Sequence, residues 1–275
     1  MERESYRELF SLFGRTAIVT GACGIIGQRL CHGLADFGAN VAVVDLDHAK
    51  CDALAAELSH KTNGEAAGFA CDVSDPGAVS ELVAAVERRL GRIQVLANNA
   101  ATKSRDLVRF LKPAEDYELS MWREVSSVNL DGAFLVAQAV GRHMISHGQG
   151  GSIIQTSSIY GVVAPDDRIY EGSNYQGHPI STPPVYAASK AGLIGLTRYL
   201  AARWAKSGIR VNTLVPGGVE SGQNDVFIAR YSARVPMARM AKAEDMVGAL
   251  IFLASDASAY MTGQTIAVDG GLTAW

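Results

Sequence analysis

The turn at residues 20–27, T-G-A-C-G-I-I-G, constrains this chain more than any other segment, because it joins a short apolar run (16–20, T-A-I-V-T) to a helical pattern (25–37) through three glycines. A run of that length ending in glycine reads as a buried strand, and the apolar spacing after it reads as a helix. Glycine tolerates positive φ and lets another backbone or a phosphate come close. Strand, glycine turn and helix N-terminus together make an anion site, since the first N–H groups of the helix lack partners and carry the positive end of its dipole.

The alternation continues along the chain. Strand patterns at 41–44, 66–70, 93–97, 152–156, 210–215 and 265–268 are interleaved with helical patterns at 47–58, 76–90, 122–146, 185–206 and 243–253. Repeated strand–helix units predict an α/β fold, a Rossmann-type doubly wound parallel sheet with helices on both faces. No linker, charge block or repeat divides the 275 residues, so 1–275 is read as a single domain. The stretch 161–184, rich in Pro, Gly, Asp and Tyr, is longer than most connections and follows a strand's C-terminal end, where such sheets bind ligands. It is read as a substrate-loop insertion.

A net charge of -3 and the lack of any basic run argue against nucleic acid or a membrane surface as partner, and leave a small-molecule substrate. The four cysteines, Cys23, Cys31, Cys51 and Cys71, form no C-x-x-C pair and read as free reduced thiols. His143 and His147 are i,i+4 without an H-E-x-x-H frame and read as surface histidines, so no metal is expected. The N-terminus is charged where a signal peptide is apolar, and no apolar run approaches the roughly 18 residues of a membrane span. The expected location is the cytoplasm.

The glycine turn predicts a dinucleotide cofactor. Gly21, Cys23, Gly24, Ile25 and Ile26 would border its pyrophosphate, with Gly27 allowing close approach. Asp45 ends the second predicted strand, where a carboxylate accepts hydrogen bonds from the ribose hydroxyls and repels a 2′-phosphate. Leu46 supplies no compensating cation, so the expected cofactor is NAD. Asp47 fits the helix N-cap role better than Asp45 does. Asp72, with Val73, either contacts the adenine or forms a capped turn before Pro76.

Tyr186 and Lys190 lie four apart at the start of a predicted helix, on one face. A tyrosine with an ordinary pKa near 10 becomes a base near neutral pH only if positive charge favours its phenolate, and a neighbouring ammonium does so.

These motifs together, T-G-A-C-G-I-I-G, N-N-A-A (98–101), V-N-L-D-G around Asn129, I-I-Q-T-S-S (153–158), Y-A-A-S-K (186–190), V-N-T-L-V-P-G-G (211–218) and V-D-G-G (268–271), resemble the short-chain dehydrogenase/reductase family over nearly the whole chain. The resemblance implies that Ser158 holds the substrate oxygen, Tyr186 transfers its proton, Lys190 lowers the tyrosine pKa and grips the nicotinamide ribose, and Asn129 supports a water relay. Ser157 competes for the serine role, but the family places the active serine second in the pair. Asn98, Asn99, Ala100, Pro216, Gly217 and Val219 look like nicotinamide-side residues. The family also implies a homotetramer or homodimer, built on the 122–146 and 185–206 helices and the C-terminal segment.

Two departures stand out. Ile25 occupies the place of the usual middle glycine, and far more residues than the family's dozen or so separate Ser158 from Tyr186. The segment S-S-I-Y-G-V-V-A-P is similar to a branch found in bacterial surface-sugar and nonulosonate biosynthesis. In the insertion, Arg168, Tyr170, Glu171, Tyr175 and His178 are expected to bond a polyhydroxylated or phosphorylated substrate. The expected activity is NAD-linked interconversion of a secondary alcohol and a ketone on a sugar-like compound. The alternatives are an NADPH-dependent 3-oxoacyl reductase, which wants an apolar lining, and a cofactor-sensing protein without turnover.

Overall fold

The computed structural model describes residues 5–61, 64–175 and 177–275, the side chains of Lys61, Tyr175 and His178 excepted. Strand β1 (Thr16–Thr20) leads to α1 (Ile25–Asp36), β2 (Asn40–Asp45), α2 (His48–Lys61), β3 (Ala66–Ala70), α3 (Pro76–Leu90) and β4 (Ile93–Asn98). After α4 (Leu107–Phe110), α5 (Leu119–Ser126) and α6 (Ala133–His147) come β5 (Gly151–Thr156), a small hairpin of β6 (Asn174–Tyr175) and β7 (His178–Pro179), and α7 (Pro184–Trp204). Strand β8 (Ile209–Pro216), α8 (Asp225–Ser232), α9 (Val247–Ala254) and β9 (Thr265–Val268) follow. The main sheet has the order β3-β2-β1-β4-β5-β8-β9, and every pairing in it is parallel. The order reverses direction between β1 and β4, so the loops at their C-terminal ends diverge and leave a crevice.

Alternation along β1 explains the two-sided packing. Ala17 and Val19 face one apolar core with Leu30 and Leu34 of α1 and Leu250 of α9. Ile18 faces the other, against Val83 and Val86 of α3 and Val140 of α6. Ile18 is fully buried, and cutting such a side chain to alanine costs about 2 to 5 kcal/mol. Helix α3 starts where the Asp75 carboxylate accepts from Gly77 and Ala78 N–H at 2.7 and 3.1 Å, with Pro76 in the first turn.

The structure departs from the sequence expectations in places that matter for the site. The single helix expected at 122–146 begins at Leu119 and contains a π-helical segment, Ser127–Gly132, between α5 and α6. That segment carries Asn129, and π-bulges recur at functional sites. The 243–253 helix starts as a 3-10 turn (Ala243–Met246) in which Asp245 accepts from Lys242 N–H at 2.8 Å. Helices α4 and α8 were not anticipated.

His143 is not a surface histidine. It is buried, and its Nε2 accepts the Ile93 N–H at 3.0 Å. Glu87 of α3 approaches His143 Nδ1 at 3.5 Å and His147 Nε2 at 2.9 Å, so the three could converge on an ion. The bond from Ile93 argues otherwise: an accepting Nε2 leaves the proton of a neutral imidazole on Nδ1, where a metal would have to bind. The cluster reads as a brace between α3, β4 and α6.

Candidate active site

A cleft of about 920 Å³ opens at the C-terminal edge of the sheet, over the crevice between β1 and β4. At Gly21 φ is +63°, and a Cβ there would lie 2.8 Å from Ala100 Cα, so both the conformation and the close approach require glycine. Gly24 stands just before α1. The N–H groups of Ile25, Ile26 and Gly27 have no partner within the helix, and all three residues border the cleft with Cys23. Ile25 is half exposed and keeps a negative φ, so the missing middle glycine introduces no backbone strain.

Asp45 is fixed at the end of β2. One carboxylate oxygen accepts from Cys23 N–H at 2.9 Å and the other from Leu46 N–H at 2.8 Å. Asp47 does what was expected of it, accepting from Lys50 N–H at 3.3 Å in the first turn of α2. Asp72 makes the turn: one oxygen takes the Ser74 N–H at 2.9 Å and hydroxyl at 2.6 Å. It also borders the cleft, with Val73 and Leu46.

The two asparagines after β4 divide. Asn98 is buried away from the cleft, donating to Ala133 O at 2.7 Å and Gln155 Oε1 at 3.0 Å, so its expected place beside the nicotinamide is corrected to a brace between neighbouring elements. Asn99 borders the cleft and donates to Thr20 O and Gly21 O at 3.2 and 3.3 Å, holding the glycine turn. Ala100, Pro216, Gly217 and Val219 complete this wall. At Gly217 a Cβ would lie 2.8 Å from Asp269 Cα.

Ser158, two residues past β5, lies within hydrogen-bonding reach of the Tyr186 phenol. Ser157 is turned away, its hydroxyl donating to Lys190 O at 2.6 Å. Tyr186 and Lys190 sit in the first turns of α7, and Lys190 Nζ lies 5.8 Å from the Tyr186 ring centroid. That ammonium donates to Thr156 O at 2.9 Å. Burial pushes the Lys190 amine down to about 8 and raises the Tyr186 phenol, which the Ser158 bond partly offsets. The chain by itself thus holds Tyr186 protonated. Asn129 is buried outside the cleft lining, and its Oδ1 accepts from Thr102 N–H at 2.8 Å, so its side chain fastens the loop after β4 to the π segment.

The insertion corrects part of the expected substrate wall. Tyr170 borders the cleft. Arg168 and Glu171 do not: Arg168 lies outside on Asp166 at 2.8 Å, and Glu171 pairs with Arg230 of α8 at 3.0 Å. Tyr175 and His178 side chains lie outside the described residues. The sequence reading missed Tyr160, Thr182, Phe227, Tyr231 and the apolar Leu107, Phe110 and Leu111, all of which face the cleft. The signal for Tyr160 was its position just after the serine pair; helix α8, which brings Phe227 and Tyr231, carried none.

The residues fit a dinucleotide. The cradle at Gly21 has no room for a side chain, the α1 N-terminus faces the cleft, and a fixed carboxylate stands at the end of β2.

Residues 21–273 match the family model described as enoyl-(acyl carrier protein) reductase. The chain is 38% identical over 269 residues to a D-threitol dehydrogenase of Mycolicibacterium smegmatis, covering 96% of this chain and 95% of that one. Among solved structures it is similar to a short-chain type dehydrogenase/reductase from Mycobacterium marinum, with 32% identity, TM-score 0.85, and 98% and 99% of the two chains covered. It is also similar to a gluconate 5-dehydrogenase from Burkholderia cenocepacia in complex with NADP and tartrate, with 35% identity, TM-score 0.85, and 98% of each chain covered. None of these relatives is named as a surface-sugar enzyme.

Proposed function

The chain belongs to the short-chain dehydrogenase/reductase family, and on that premise we propose that it interconverts a secondary alcohol and a ketone on a polyhydroxylated small molecule, with NAD as its cofactor. The observation that carries the reading is the meeting of Ser158, Tyr186 and Lys190 in the cleft that the glycine turn also borders.

Bound there, the nicotinamide ring would supply the hydride chemistry that side chains cannot. Gly21, Cys23, Gly24, Ile25 and Ile26 would hold its pyrophosphate, Asp45 and Leu46 its adenosine ribose, Asp72 and Val73 its adenine end, and Asn99, Ala100, Pro216, Gly217 and Val219 the far side. Ser158 donates to the substrate oxygen and orients it. Tyr186 Oη takes the hydroxyl proton in oxidation and returns it in reduction. Because burial disfavours the phenolate, this transfer needs positive charge nearby. Lys190 provides it, held in place by Thr156 O. Asn129 steadies the loop bordering the reaction.

Asp45 supports NAD over NADP, since its fixed carboxylate repels a 2′-phosphate. Lys50, the cation bordering that end, is paired with Asp47 at 3.1 Å. The Burkholderia relative holds NADP, so the choice is tested directly: initial rates with NAD and NADP across polyols, aldonates and 3-oxoacyl thioesters. NAD-linked oxidation of a polyol supports the proposal, and NADPH-linked reduction of an acyl thioester overturns it. Apolar Leu107, Phe110 and Leu111 favour the acyl reading, whereas the hydroxyls of Tyr160, Tyr170 and Thr182 oppose it. Retention of both Tyr186 and Lys190 opposes a cofactor sensor without turnover.

The same reading makes residues 1–275 one domain, with 161–184 as the substrate loop, acting in the cytoplasm as a homotetramer or homodimer. Exposed Trp122, Phe134 and Tyr199 on α5, α6 and α7, and Tyr260 and Trp275 near the C-terminus, support the assembly. No helix among the described residues is long and apolar enough to cross a membrane.

A further inference from the structure

Beyond the cofactor residues, the cleft wall carries three hydroxyls in a row. Tyr160 Oη and Tyr170 Oη are 3.1 Å apart, and Tyr170 Oη lies 2.5 Å from Thr182 Oγ1. The row is tethered to the reacting side chains at both ends. The Tyr160 N–H donates to Ser158 Oγ at 3.3 Å, and Thr182 directly precedes Pro183, which opens the helix carrying Tyr186.

We propose that Tyr160, Tyr170 and Thr182 form the subsite that reads the substrate's hydroxyl groups beside the reacting carbon, and that it selects an uncharged polyol over a sugar acid, a sugar phosphate or an acyl thioester. This rests on the alcohol-oxidoreductase reading above.

Proton counting explains the match. Three hydroxyls bring three donors, and two links between them consume two, so one O–H and several lone pairs remain for a ligand. Because hydroxyl protons rotate, either end of the row can donate or accept, which suits a partner that does both. The array is also rigid. The Tyr170 ring stacks on Phe227 with centroids 5.7 Å apart, and Phe227 stacks on Tyr231 at 5.8 Å. Burial pushes the Tyr160 and Tyr170 phenols up, so the row stays neutral.

No arginine borders the cleft among the described residues, so a carboxylate or phosphate meets no guanidinium fork. The nearby arginines are committed outside, Arg168 to Asp166 and Arg230 to Glu171. Of the cations that do border the cleft, Lys50 stands beside Asp47 and Lys190 is held by Thr156 O. Lys103, in the loop after β4, borders the cleft as well and is engaged within the chain. An acyl chain would strip the three hydroxyls of water without replacing its bonds.

The test uses a matched four-carbon set, threitol, 2-butanol and threonate, with the wild type, Tyr170→Phe and Thr182→Val. Tyr170→Phe keeps the ring stack and removes the central hydroxyl, and Thr182→Val is close to isosteric. The proposal expects wild type to prefer threitol to threonate. It also expects the threitol to 2-butanol ratio of kcat/KM to fall about tenfold in either variant, mainly through KM. An unchanged ratio in both variants, or a preference for threonate, overturns the hydroxyl subsite while leaving the alcohol-oxidoreductase reading intact. No turnover of any alcohol with either nicotinamide cofactor overturns both.

Discussion

The Asp45 carboxylate accepts a hydrogen bond from the Cys23 N–H at 2.9 Å, tying the end of β2 to the glycine turn after β1. The residue proposed to hold the ribose therefore also braces the loop proposed to meet the pyrophosphate. Asp45→Asn removes the charge while its single amide oxygen can still accept from Cys23, at the cost of the Leu46 bond. The expected outcome is a rise of about tenfold in the NADP to NAD ratio of kcat/KM, for about 1.4 kcal/mol of lost repulsion. Asp45→Ala should add a loss of about 1 kcal/mol in unfolding free energy. Steady-state rates and denaturant melts check both, and an unchanged ratio in Asp45→Asn would exclude the charge as the selector.

The two adjacent serines should behave differently. Ser157 is spent on Lys190 O, so Ser157→Ala should lower stability by about 1 kcal/mol with a small effect on turnover. Ser158 bonds the Tyr186 phenol, and Ser158→Ala should reduce kcat by roughly 10² to 10³, far beyond the effect of Ser157→Ala on turnover. A larger loss of turnover in Ser157→Ala than in Ser158→Ala would move the oxygen-holding role to Ser157.

Tyr186→Phe removes the hydroxyl proposed to carry the proton and keeps the ring. Turnover should fall at least about 10³-fold, somewhat as other acid–base groups contribute 10² to 10⁴. Binding of NADH, followed by its fluorescence, should stay within about twofold of wild type. Retained activity would sink the proposed mechanism.

Burial of the Lys190 amine carries a pH signature. Its pKa falls from the ordinary 10.5 to about 8 in the folded chain. Between those values the unfolded chain binds more protons than the folded one, so this group's contribution to stability rises with pH. Below about 8 both states are charged and the burial penalty is present in full; above about 10.5 both are neutral and it is gone. Compared with Lys190→Met, wild type should gain about 3 kcal/mol between pH 8 and 10.5. A stability difference that is flat over that window would show that the ammonium is not strained by burial.

What the sequence determined by itself was the order of the layers and the chemistry of the short motifs. Apolar runs such as T-A-I-V-T, each closed by a turn and followed by a helical spacing, specify a parallel sheet because local pattern decides strand or helix, and the crossovers leave few topologies. The glycine turn and the Tyr186–Lys190 spacing were legible for the same reason: each lies within one turn or one helix face.

Tertiary structure decided everything that depends on residues distant in the chain. His143 looked like a surface residue until β4 brought the Ile93 N–H onto its Nε2. Asn98 and Asn99 are adjacent, yet successive residues at a strand end point to opposite sides, so one braces the interior and the other borders the cleft. Arg168 and Tyr170 share one loop, and Asp166 and Phe227 sort them to opposite faces. A hydroxyl row made of Tyr160, Tyr170 and Thr182 has no sequence period at all. It exists because the insertion folds back over the serine that follows β5, and contacts of that kind are set by packing rather than by any pattern along the chain.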